Sequence, residues 1–237
     1  MGIIKKLKKI VRQCVANDWL DKDPFMSYKI KLRDTHRQFL TLDELQIVEN
    51  KDFSTDRLNH VRDIFIFSCY TGLAFSDVEK LTSLDIVIGI DGEKWIYTTR
   101  TKTDTDSKIP LLPEAQRLIE KYSDKTRQNI NNRLFPLMSN QKMNAYLKEI
   151  AGCSGINKDL TFHCARHTFA TTVTLTNGVP IETVSKMLGH KSIRTTQQYA
   201  KIVDRKVSND MLALRKKLRN RKNLSVTKSG LTAANGS

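Results

Sequence analysis

The sequence predicts an α+β domain, mainly α-helical, with a small three-stranded antiparallel sheet. Three observations predict it. Apolar residues recur at intervals of three and four along most of the chain, the spacing of amphipathic helices. One region alone, residues 85–111, shows short β-branched and aromatic runs broken by turn residues. Capping boxes and glycines punctuate the helical regions at ordinary helix lengths.

In chain order, Ile3, Ile4, Leu7, Ile10, Val11 and Val15 form a helical stripe over residues 3 to about 18. The chain leaves that helix near Asp23-Pro24 and passes through a basic extended stretch with Lys29, Lys31, Arg33 and Arg37. A lone amphipathic helix has nothing to pack on, so this one reads as the last helix of another domain. Thr41-Leu-Asp-Glu44 is a capping box and opens the main domain. His60 to Tyr70 is an apolar helix, and Gly72 is placed to end it in the left-handed conformation. Ser76-Asp-Val-Glu79 reads as a second capping box, opening a short helix to about Leu81.

Strands follow at Asp85 to Ile90 and Lys94 to Arg100, joined by the hairpin signal Asp91-Gly92, with a third at Lys108 to Leu111. Helices return at about 113–122, 140–151, 162–177, 180–188 and 193–200, with Gly178 and Gly189 between them and Pro180 at a helix start. Beyond Tyr199, Val207, Met211, Leu214 and Leu218 continue a helical stripe among basic residues. The domain reading is therefore 1–35 for the lone helix and linker, 36–222 for the main domain, and 223–237 for a disordered tail.

Composition narrows the function classes. With 237 residues and 39% hydrophobic content, the chain can bury an ordinary core, which excludes an intrinsically disordered protein. Lys and Arg outnumber Asp and Glu by 40 to 25, so the formal charge is +15 and polyanions are favoured partners. That balance alone also fits a basic protein with no nucleic-acid role. Cys14, Cys69, Cys153 and Cys164 are widely spaced with no C-x-x-C pair, which points to buried, reduced thiols and a cytoplasmic chain. The longest apolar runs, such as Ile64 to Phe67, are too short to cross a bilayer, and no membrane partner is expected.

The chemistry concentrates between Thr161 and Tyr199. On the helix opening at Thr161, Phe162, Ala165, Phe169 and Val173 can face the core, while His163, Arg166 and His167 share a neighbouring face. Arg presents a planar fork of donors that matches two phosphate oxygens and keeps its charge when desolvated. His163 and His190 can add hydrogen bonds or manage protons as charge builds on phosphorus. Tyr199 is a candidate nucleophile, because a phenol is more acidic than an alkyl alcohol. Two histidines four apart also have zinc-site spacing. Cys164 stands where a zinc hydrolase needs its Glu base, however, and the Arg166 cation would oppose a dication.

His163-x-x-Arg166-His167, Leu188-Gly189-His190 and Tyr199-Ala-Lys, in this order, resemble the signature of the tyrosine recombinases, or phage-integrase family. Thr71-Gly-Leu-Ala-Phe-Ser-Asp77 resembles the family's first box, with Asp77 at its supporting acidic position. Thr101-Lys102-Thr103 lies where the family keeps a lysine on its sheet. Within the family, the likeness is to integrases of conjugative transposons. The resemblance implies a recombinase catalytic-domain fold and cleavage of double-stranded DNA by Tyr199 through a 3′-phosphotyrosyl link. It implies Lys102 as the acid for the leaving 5′-oxygen, and Arg166, His163 and His190 as transition-state ligands. It also implies a tetramer on DNA, exchange of the C-terminal helix between protomers, and no metal or other cofactor.

Two departures stand out. The first box of the family normally reads T-G-L-R, and this chain has Ala74 where that arginine belongs. Losing such a charge-assisted donor costs on the order of hundredfold in rate. Some members of the transposon branch lack it too, and Arg62, earlier on the preceding helix, is the candidate to compensate. The family's arm-binding segment and most of its core-binding segment would also precede residue 1. Both departures leave a rival reading open: a DNA-binding module or remnant without cleavage activity.

Overall fold

The computed structural model describes residues 2–28, 38–122 and 132–200, with Met211, Leu212 and Arg215. The basic segment from Lys29 to Arg37, the tail and most of the stripe from Val207 to Leu218 lie outside the described residues. The chain divides into two compact units, Met1–His36 and Arg37–Ser237. Among the described residues, no helix is long and apolar enough to cross a membrane.

In the first unit, α1 spans Gly2–Ala16. Its stripe is largely uncovered, with Ile3, Leu7 and Ile10 all exposed. Asp23 turns the following segment by accepting from the Phe25 amide, and Lys8 donates to the Tyr28 carbonyl at 2.9 Å.

In the second unit, α2 (Leu42–Asn50) starts at the expected capping box. The Thr41 hydroxyl accepts from the Glu44 amide, and the Glu44 carboxylate accepts from the Thr41 amide. Lys158 donates to the same carboxylate. The central helix α3 (Asp56–Thr71) carries Val61, Ile64, Phe65, Phe67 and Cys69 fully buried. It packs on α5 (Pro113–Tyr122), α6 (Asn140–Cys153) and α7 (Phe162–Thr168). Phe162 joins this core edge-on to Phe65 and Phe75.

A short α4 (Phe75–Lys80) leads into the sheet, ordered β1-β2-β3, with β1 Ile86–Ile88, β2 Lys94–Arg100 and β3 Thr105–Pro110. After the sheet and α5 to α7 come α8 (Ile181–Met187) and α9 (Arg194–Ala200).

The elements depart from expectation at four points. The Ser76 capping box does not form: α4 begins two residues earlier, at Phe75, with Ala74 at its N-cap and no side-chain cap. Asp77 turns inward instead. β1 is shorter than expected, because the turn already begins at Gly89: its amide makes the closing rung to the Glu93 carbonyl, and its own carbonyl accepts from the Gly92 amide. β3 begins earlier, at Thr105, because the Thr103 and Asp104 amides both fold back on the Arg100 carbonyl and close a tight turn. That places Lys102 at a hairpin tip.

The helix expected over 162–177 is α only to Thr168. It widens to a π-helical segment at Phe169–Thr174 and tightens to a 3-10 turn at Leu175–Asn177. A run of threonines accounts for this. Thr168, Thr171, Thr174 and Thr176 donate to carbonyls four or five residues back and compete with the helical ladder. Of the four cysteines, Cys69 and Cys164 are buried while Cys153 is exposed, so burial holds for only part of the set.

Candidate active site

Arg166 lies on α7 between the core-facing Phe162, Ala165 and Phe169, and it is only 3% exposed. Its Nη1 donates to the Gly72 carbonyl at 2.7 Å, and its Nη2 donates to the Leu188 carbonyl. Gly72 caps α3 with φ +71°, and a Cβ there would lie 2.4 Å from the Phe169 ring and 2.9 Å from Leu188. Glycine is therefore required both by conformation and by space, and it sets the carbonyl on which the guanidinium rests. Burial first, and then the neighbouring Arg100, push the Arg166 pKa down to about 10; Tyr199 and Asp77 act in the opposite direction. The cation is still retained at neutral pH.

Tyr199 reaches the site from α9. Its ring is 2% exposed, and its hydroxyl lies 3.0 Å from His167 Nδ1. His190 stacks parallel to the Tyr199 ring with centroids 6.4 Å apart, and its Nδ1 lies 2.8 Å from the Thr196 hydroxyl on α9. His163, exposed on α7, meets the His167 ring edge-on at 4.3 Å. The i, i+3, i+4 spacing read in the sequence thus places His163, Arg166 and His167 in one cluster with Tyr199 and His190. Among the described residues, no group of three or more metal-ligating side chains comes together.

The sheet reaches the same place through Asp77. This carboxylate is buried and accepts from the Thr101 amide at 2.9 Å, which ties α4 to the end of β2. The tip of the β2–β3 hairpin is pinned as well, since the Thr103 hydroxyl donates to the Gly189 carbonyl at 3.3 Å. Lys102 stands between these two anchors with its side chain exposed. Asp77 thereby positions the backbone that carries Lys102.

Arg62 does not join this cluster. It is buried against Asp63 at 2.9 Å, reaches Asp52 at 3.5 Å and donates to the Lys51 carbonyl. About 15 Å of helix separates it from Gly72, at 1.5 Å per residue. The expectation that Arg62 replaces the first-box arginine is corrected accordingly, because its donors are engaged in holding the start of α3. A cavity of about 880 Å³ lined by Asp56, His60, Asp63 and Tyr122 contains none of the site residues. Sequence reading passed over Arg100, which the structure places beside the site. The signal was available: Ile96, Thr98 and Arg100 alternate onto the covered face of β2.

A buried arginine, flanking histidines and a tyrosine, set beside a hairpin lysine on this helical fold, define a tyrosine-recombinase catalytic domain. Residues 40–206 match the phage integrase family, and the chain belongs to it. It is 27% identical over 210 residues to tyrosine recombinase XerD of Lacticaseibacillus casei, covering 83% of this chain and 70% of the relative. Its fold matches a lambda integrase dimer bound to a core site with TM-score 0.67 at 21% identity, covering 82% of this chain and 70% of that one. It also matches the Tn1549 transposon integrase in complex with a circular intermediate DNA, with TM-score 0.62 at 17% identity, covering 82% and 72%. The expected likeness to transposon integrases is thus met at the level of fold.

Proposed function

We propose that this chain cuts and rejoins double-stranded DNA at a specific site through a covalent tyrosyl intermediate. The observation that carries the reading is the convergence of Tyr199, Arg166 and His190, from three separate elements, around the turn at Leu188 to His190.

The Tyr199 oxygen attacks the scissile phosphorus. Its proton passes to an imidazole, for which His167 Nδ1 lies at 3.0 Å. The P–O bond to the 5′-oxygen breaks, and Lys102 on the hairpin tip delivers the proton to that leaving oxygen. Arg166 neutralises a non-bridging oxygen, and His163 and His190 donate as charge develops. The bond energy is kept in the phosphotyrosine, so the reverse attack by a 5′-hydroxyl reseals a strand with no external energy source. This scheme uses side chains alone and calls on no cofactor.

The net charge of +15 supplies the attraction to DNA, so binding falls steeply with salt. The lambda integrase and Tn1549 integrase structures to which this chain is similar are complexes with DNA, which supports the same partner here. We assign the Met1–His36 unit to the end of a core-binding domain, the assembly to a tetramer on DNA, and the compartment to the cytoplasm.

The test is a nicked suicide duplex incubated with the wild-type chain and with Tyr199→Phe. A denaturation-resistant protein–DNA adduct from the wild type alone supports cleavage. DNA binding without an adduct, where an intact relative cleaves its own site, favours the rival DNA-binding remnant.

A further inference from the structure

Arg100 and Arg166 both reach the same turn. Arg166 donates to the Leu188 carbonyl, while Arg100 Nη1 lies 3.4 Å from the next carbonyl, that of Gly189. The aliphatic stem of Arg100 packs against Gly189, so that a Cβ on the glycine would sit 3.5 Å from Arg100 Cδ. The residue following Gly189 is His190. Arg100 therefore borders the cluster that holds Tyr199.

Its polar groups are incompletely met. Arg100 Nε is buried and has no hydrogen-bond partner among the described residues. Among the same residues neither Arg100 nor Arg166 forms a salt bridge, although nine such pairs occur between others of them. Asp77 lies near enough to act on Arg166, but no carboxylate pairs with either guanidinium, and two cations held close together with so little compensation disfavour the folded chain. An anion bound between them removes that penalty and meets the unpaired N–H.

The approach also suits the missing residue. Ala74 is the N-cap of α4, and three residues on, Asp77 accepts from the Thr101 amide. The end of β2 is thus bound to the helix that starts at Ala74, and an arginine at position 100 enters from the sheet side.

We propose that Arg100 is a catalytic residue: it supplies the second guanidinium that grips the scissile phosphate, the part that the Ala74 position cannot play. The assignment rests on the cleavage reading above. Burial and the nearness of Arg100, which together lower the Arg166 pKa, agree with two cations sharing one small space.

Two measurements test it. In the suicide-duplex assay, Arg100→Ala lowers the rate of adduct formation about hundredfold, Arg100→Lys lowers it less, and Ala74→Arg in the Arg100→Ala background restores part of the loss. Arg100→Ala cleaving at the wild-type rate overturns the proposal. The second measurement needs no cleavage. In a Tyr199→Phe background, Arg100→Ala weakens binding to a duplex with a normal scissile phosphate. It leaves unchanged the binding to a duplex with a neutral methylphosphonate there. Equal weakening on both duplexes overturns the proposal, since it marks a role away from that phosphate. A wild-type chain that forms no adduct counts against the cleavage reading, while the two-duplex comparison still judges Arg100.

Discussion

The Tyr199 hydroxyl lies 3.0 Å from Nδ1 of His167, and the tyrosine is 2% exposed. In this conformation the candidate nucleophile is held inside the protein. Tyrosine nitration in the absence of DNA is therefore expected to modify Tyr28, 49% exposed, and Tyr97, 36% exposed, well before Tyr199. Peptide mapping after limited reaction reads the order; early nitration of Tyr199 would refute the sequestered geometry.

Tyr199→Phe removes one hydroxyl and its hydrogen bond while keeping the buried ring. The expected loss of stability is about 1 kcal/mol, read by urea denaturation, with complete loss of the covalent adduct. A residual adduct would mean that another residue attacks.

Asp77→Asn keeps the shape of the side chain but removes a buried negative charge beside the Arg166 cation. It also weakens the acceptor for the Thr101 amide that holds the Lys102 hairpin. A loss of about 1–3 kcal/mol in stability and at least about tenfold in cleavage is expected. A substrate bearing a good leaving group at the 5′-oxygen should recover part of the rate loss, because it bypasses the acid that Asp77 helps to place.

Gly72→Ala is expected to cost about 3 kcal/mol, from left-handed strain and from the clash with Phe169 and Leu188. The same change moves the carbonyl that supports Arg166, so cleavage should fall together with the melting temperature. A neutral effect on both would show that the α3 cap does not build the site.

Glu44 links α2 to pH. Burial works against its ionised form, but Lys158 and the Thr41 amide outweigh it, and the carboxyl is held below its ordinary value. The unfolded chain then binds the proton more readily than the native one. The contribution is fully present above the ordinary carboxylate pKa of about 4.3 and is lost as pH falls through the folded value. Glu44→Gln should therefore flatten the decline of stability below about pH 4.3, as measured by urea titrations at several pH values. At the other extreme, cleavage that depends on the Arg166 cation should decline as pH rises through about 10.

Much of the architecture was readable from local chemistry. Thr41 and Glu44 announced the start of α2, Gly72 the end of α3, and the Lys94 to Arg100 run the middle strand, each through interactions within a few residues. The Ser76 box failed because the same residues were drawn into a long-range contact: Asp77 went to Thr101 on the sheet. The threonines of residues 168–176 changed the helix type through side-chain bonds that hydrophobic periodicity does not register. Arg62 was misjudged on helical proximity alone, whereas its carboxylate partners Asp52 and Asp63 decide its place.

The sequence by itself determined the kinds of side chain available, their order, and the helix spacing that puts His163, Arg166 and His167 on one face. Local periodicity and turn chemistry suffice for that. Only the tertiary structure decided that Tyr199 rests on His167, that Arg62 faces away, and that Arg100 meets the turn before His190. Those contacts join residues 32 to 89 positions apart, or depend on which carboxylate reaches a guanidinium first. Such outcomes follow from packing β3 against α8, and α9 against α8 and the π-helical segment, and no window of neighbouring residues encodes them.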